Sequence, residues 1–188
     1  MYLYRKIIKR NIIMKKLITL GLASVFFISC NTKVEPPKEI KVKDLYTIEV
    51  SSTLAEITDL QPEASLQYGN KFKELYIVAI DEDKNTFNQT IEALGKKGDL
   101  ASYEAEVLSH YTGTKNYELL NQKDLQIDGH NAKLLDIKAN VQGIDIYYKI
   151  GIVEGKANYY RIISWTLEKY KDAQNETMEK MILSFKEL

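Results

Sequence analysis

The chain has 188 residues, 26 basic and 26 acidic, with 45% hydrophobic content and a single cysteine at position 30. That length suits one domain able to bury a core without staples, and a lone cysteine excludes an internal disulfide framework. The neutrality is uneven: six basic residues and no acidic one precede Cys30, leaving a net charge of −6 after it, which excludes the basic footprint of a nucleic-acid binder.

The first predicted element is a secretory signal. Lys15 and Lys16 lead into twelve mostly apolar residues, Leu17 to Ile28, which end in Ser29 and Cys30. A basic lead, a short apolar run and a small residue at its end are the layout of an export signal. Twelve residues are too few for a span, which takes about 20, so cleavage is expected rather than a permanent anchor. Either Met1 or Met14 leaves the lead basic. Cysteine directly after the small residue resembles the bacterial lipoprotein signal, although Phe27 stands where that signal prefers leucine. The resemblance implies a diacylglycerol on Cys30 and membrane attachment through that covalent lipid, since the acidic mature chain offers no attraction for anionic headgroups. Asn31 in place of aspartate favours the outer membrane of the cell envelope, with the domain facing the periplasm.

The expected organisation is a signal at residues 1–29, a lipidated cysteine and flexible tether at 30–43, and one domain at 44–188. Residues 31–44, NTKVEPPKEIKVKD, carry Pro36-Pro37 in a charged run and could hold the domain about 40 Å from the lipid at roughly 3.1 Å per residue.

The domain opens with a strand in which Tyr46, Ile48 and Val50 alternate with Thr47 and Glu49. Ser65–Tyr68 and Glu74–Ile80 are the next strand candidates. Two helices follow: one with Phe87, Ile91 and Leu94, stopped by Gly95, and one capped by Asp99 with Leu100, Tyr103, Val107 and Tyr111 on one face. From Tyr117 the period becomes two, and Asp128-Gly129, Gln142-Gly143 and Gly155-Lys156 punctuate a four-stranded meander. Two-residue turns set Ile137 opposite Tyr148, Leu135 opposite Ile150, Tyr148 opposite Ile163 and Ile146 opposite Trp165.

One face of the meander then gathers Leu135, Ile137, Val141, Ile146, Tyr148, Ile150, Ile152, Tyr159, Ile163 and Trp165. The other gathers Leu125, Ile127, Leu134, Val153, Tyr160 and Ile162. Apolar residues on both faces require a cover on each. A last helix with Met178, Met181, Ile182 and Phe185 is one cover, and the two central helices are the other. The predicted fold is α+β, a single antiparallel sheet sandwiched between helices.

The strand TIEV, the segments PEASLQYGN and LYIVAIDED, the strand YYRIISWT and the terminal MEKMILSFKEL resemble the PsbP-like fold over residues 44–188. That fold includes the PsbP subunit of photosystem II, Ran-binding Mog proteins and bacterial envelope lipoproteins. Ser51-Ser52 departs from relatives that place proline after the first strand. The resemblance implies an antiparallel sheet flanked by helices and a binding or assembly role rather than catalysis, and it assigns no site residue.

No catalytic residue and no cofactor is assigned. Only His110 and His130 are available as bases, at a helix end and in a turn, with no G-x-S-x-G motif beside them. The metal candidate is Asp81, Asp83, Asn85 and Glu92, oxygen donors at alternate positions with a carboxylate at the twelfth place, as a calcium loop would have. Thr86 stands where that loop needs glycine, and the bland reading is an acidic turn whose Asn85 caps the next helix. The pairs Tyr147-Tyr148 and Tyr159-Tyr160 should each send one ring to either face. Arg161 is the odd member of an apolar face and is expected to find a carboxylate or lie at the sheet margin, a structural ion pair being favoured over a ligand site. The function expected is a lipid-anchored envelope binding or scaffolding module with an envelope protein partner. The rival forms are a calcium- or small-molecule-binding domain and a hydrolase with a scattered carboxylate site.

Overall fold

A computed structural model describes residues 35–188. The expected signal at 1–29 and the lipidation site Cys30 lie outside the described residues.

Ten strands and three α-helices form among the described residues. Strands β1 (Lys38–Val42) and β2 (Tyr46–Val50) pair antiparallel, with Ile40 opposite Ile48. Part of the span expected to be tether is therefore strand: Val42 is buried, so the chain gains a partner and an apolar contact there. Next come β3 (Ala55–Glu56), β4 (Leu66–Asn70) and β5 (Leu75–Asp83), then helices α1 (Lys84–Ala93) and α2 (Leu100–Thr112). The meander is β6 (Lys115–Ile127), β7 (His130–Val141), β8 (Ile144–Glu154) and β9 (Asn158–Leu167). A short 3₁₀ turn at Glu168–Tyr170 leads into α3 (Lys171–Leu183), and β10 (Lys186–Glu187) closes the chain.

The large sheet is antiparallel throughout, in the order β3-β4-β5-β9-β8-β7-β6. It carries helices on both faces, and the α+β sandwich expected from the alternation is the fold observed. The opening strand TIEV, however, joins a second, three-stranded sheet in which β2 lies between β1 and β10. Pairing across that distance in sequence leaves no local trace.

The turns follow their residue chemistry. Asp128-Gly129 and Gln142-Gly143 both have positive φ at both positions, the two-residue geometry that matches strand twist. Leu135 faces Ile150 and Ile137 faces Tyr148, as expected. The third connection differs: Gly155 donates to the Asn158 carbonyl at 2.9 Å and Glu154 pairs with Tyr159, a four-residue link. Tyr148 therefore faces Trp165, and Ile146 faces Leu167, two residues on from the expected partners. An even shift keeps every side chain on its face, so the face assignment survives.

Two cores result. On one face Leu134, Val153, Tyr160 and Ile162 meet Met178, Met181, Ile182 and Phe185 of the C-terminal segment and Tyr46, Ile48 and Val50 of the small sheet. On the other Leu135, Ile137, Ile150, Ile152 and Tyr159 meet Phe87 and Ile91 of α1 and Tyr103 and Val107 of α2. The tyrosine pairs divide as expected: Tyr147 and Tyr160 lie on the α3 face, and Tyr148 and Tyr159 on the other.

Helix α1 ends where Gly95 takes φ +75°, with Gly95 N–H donating to Glu92 and Lys96 N–H to Ile91, the paired closure that glycine permits. Leu94 is exposed rather than buried. The α1 cap is Asp83, which accepts from Thr86 N–H at 2.7 Å, and not Asn85. Asp99 caps α2 as expected, accepting from Ser102 N–H at 3.0 Å.

Candidate functional site

Helices α1 and α2 leave part of the sheet open. Beyond the last turn of α2, the β5-β9-β8 surface opens into a cleft of about 410 Å³. Its floor is Arg161 with Val78, Ile80 and Ile163, and its walls are Tyr111, Tyr148 and Trp165. Leu60, Gln61 and His110 rim it.

Each wall is positioned by a specific contact. Trp165 stacks on Tyr76 with centroids 5.2 Å apart and 15° between planes. Tyr111 meets Tyr148 edge-on at 5.1 Å, a favoured aromatic geometry. The rim loop is held by one side chain: Gln67 Oε1 accepts from both Leu60 N–H and Gln61 N–H at 2.9 Å. Ser164, on the opposite face of β9, donates to the Tyr76 carbonyl at 2.8 Å and ties β9 to β5.

Arg161 pairs across the sheet with Ile80 on one side and Ile152 on the other. The structural ion pair expected for it does not form: none of the ion pairs among the described residues includes Arg161. Its Nε is buried with no hydrogen-bond partner, and so is the Tyr103 hydroxyl. The reason is register, since isoleucines oppose Arg161 on both neighbouring strands. Burial pushes the Tyr103 phenol well above its ordinary value; the Arg161 charge opposes that push, and the neighbouring Glu82 carboxylate adds to it. Tyr111 is raised by burial and by Tyr148, again opposed by Arg161, and burial raises Tyr148. These phenols are neutral donors at physiological pH.

The metal candidates are not drawn together. Asp81 and Asp83 lie on β5, Asn85 and Glu92 on α1, and Asp83 is committed to the cap. Among the described residues no cluster of three or more His, Cys, Asp or Glu could hold a metal ion. An extended strand running directly into a helix replaces the expected loop, because the Asp83 carboxylate serves the α1 amides. His130 Nε2 lies 3.1 Å from Glu187 Oε2 and His110 Nε2 lies 3.8 Å from Glu106 Oε1, so each faces a carboxylate and neither a nucleophile. Trp165, Tyr148 and Tyr111 read in the sequence as core, and only the charge of Arg161 on an apolar face signalled the cleft.

No protein-family model matches the chain, and no curated protein does. Among solved structures, cyanobacterial PsbP (CyanoP) from Synechocystis sp. PCC 6803 matches with a TM-score of 0.58 at 13% identity, over 89% of this chain and 99% of that one. A protein from Bacteroides thetaiotaomicron matches with a TM-score of 0.50 at 9% identity, over 82% of this chain and 49% of that one. LpqN, involved in cell envelope biogenesis of Mycobacterium tuberculosis, gives a TM-score of 0.48 at 9% identity, over 81% of this chain and 86% of that one. The CyanoP likeness establishes the fold alone: the domain has a PsbP-like fold.

Proposed function

We propose that the chain is a lipid-anchored protein of the bacterial cell envelope whose PsbP-like domain is a non-enzymatic binding module, with the Arg161 cleft as its recognition site. The observation that carries the binding reading is the cleft itself. It combines aromatic and aliphatic side chains with polar ones, contains one fixed cation, and is lined by no carboxylate, so it offers a hold for a ligand without the paired acid and base that hydrolysis needs. Of the forms of binding read from the sequence, a concave site of this size favours a small molecule.

Support for the anchor comes from the run Lys15 to Cys30 and the acidic balance after it. Two or three acyl chains hold firmly where one does not. Among the described residues no helix is long and apolar enough to cross a membrane. Metabolic palmitate labelling with membrane fractionation tests the anchor: the parent chain is labelled and sediments with membranes, whereas Cys30→Ala is unlabelled and soluble. Continued sedimentation of the unlabelled variant would show that the apolar segment itself is the anchor.

A further inference from the structure

We propose that the Arg161 cleft binds a small amphipathic monocarboxylate, its anionic end held by the guanidinium and its apolar body laid against Tyr148 and Trp165. This rests on the cleft being the domain's recognition site.

The first argument is an unmet donor. Arg161 Nε is buried without a partner, and a buried charged donor left unsatisfied is costly. No carboxylate lines the cleft and no ion pair among the described residues engages Arg161, so the guanidinium is left available to an acceptor that enters the cleft.

The second argument is residue choice. Arg161 is the only arginine after Cys30; the other 19 basic residues there are lysines. Lysine supplies a point charge, whereas the planar guanidinium presents a rigid fork of N–H groups that matches a carboxylate two-to-two.

Charge count selects the monoanion. Arg161 is the single permanent cation lining the cleft, and the rim carries His110 and Tyr111 from the last turn of α2. The carbonyl end of a helix carries partial negative charge, which disfavours the second charge of a phosphate monoester. Beside Gln61, the remaining lining of Leu60, Val78, Ile80, Ile163 and the rings of Tyr148 and Trp165 suits a hydrocarbon or aromatic body.

Trp165 is the only tryptophan in the chain, so its emission reports the cleft directly. The full lipidated chain in mild detergent is titrated with phenylacetate, phenylacetamide and phenyl phosphate. Phenylacetate should change the emission saturably, and the amide should bind about ten- to a hundredfold more weakly, as expected for loss of a charge-assisted hydrogen bond. Phenyl phosphate should also bind more weakly than phenylacetate. Arg161→Gln should weaken phenylacetate by a similar factor, with Arg161→Lys in between. The acid–amide comparison needs no variant and stands if Arg161→Gln fails to fold. Acid and amide binding equally would overturn the carboxylate assignment and leave the cleft as a recognition site. Tighter binding of phenyl phosphate would overturn the charge-count argument and the assignment with it. No saturable change with any probe would overturn both the assignment and the cleft as a recognition site.

Discussion

Lys149 is sealed inside the domain, with 2% of its side chain exposed, and its Nζ lies 2.7 Å from Asp136 Oδ1 on the neighbouring strand. Glu179 of α3 approaches the same ammonium at 3.1 Å. One lysine therefore joins β7, β8 and α3. Beside it the Tyr147 hydroxyl donates to Asn175 of α3 at 2.8 Å. The polar cluster stands among apolar contacts of the α3 face, where geometry rather than area sets its energy.

Breaking this cluster from one side should be severe. Lys149→Ala leaves the largely buried Asp136, and Glu179 beside it, without their cation, and the expected loss is about 3 kcal/mol of unfolding free energy in urea. The double variant Lys149→Met with Asp136→Leu, which removes the inner charge pair, keeps volume and leaves only the partly exposed Glu179 unpaired, should recover most of that loss. Equal destabilisation of the single and double variants would show that packing, not charge, is what Lys149 supplies.

Helix α3 approaches β8 through a glycine. A Cβ at Gly151 would overlap Ile182 Cγ2, and overpacking of a filled core costs roughly 1–3 kcal/mol. Gly151→Ala should lower the denaturation midpoint by that measure, and the added cost should vanish in an Ile182→Ala background, which lacks the Cγ2 methyl. Additive losses in the double variant would deny the contact.

Two helix caps predict an acid dependence. The Asp99 carboxylate is held below its ordinary value by the Ser102 backbone amide and by Lys97, and Asp83 is lowered by its hydrogen bonds to Thr86. A depressed folded pKa contributes stability above the unfolded value of about 3.9 and loses it as pH falls through the folded value. Asp99→Ala should thus lower the Tm near neutral pH, with the gap from the parent closing below that range. Asp99→Asn should keep the cap without the pH dependence. A gap that persists unchanged in strong acid would refute the ionised cap.

Alkaline conditions act in the opposite sense. Burial pushes the phenols of Tyr46, Tyr103, Tyr111 and Tyr147 well above their ordinary value. A raised folded pKa contributes stability below the unfolded value of about 10 and loses it as pH rises toward the folded one. In a spectrophotometric titration these tyrosines should ionise together with loss of near-ultraviolet circular dichroism. Ionisation of these four with the exposed tyrosines near pH 10, with the fold intact, would contradict their burial.

The sequence by itself determined the two-faced meander, because period-two alternation and paired positive-φ turns are local properties. It determined the Asp99 cap and the Gly95 stop for the same reason, and it marked Arg161 as a charge on an apolar face. What it could not decide depended on distance. The third hairpin's four-residue link moved β9 by two residues while leaving its faces intact. The small sheet needed Lys186 beside Thr47, and the α1 cap went to Asp83 because that residue, not Asn85, ends the strand. Only the tertiary structure decided that Arg161 would line a cleft and stand outside the ion pairs among the described residues. Its neighbours on both adjoining strands are isoleucines, so no carboxylate faces it directly across the sheet.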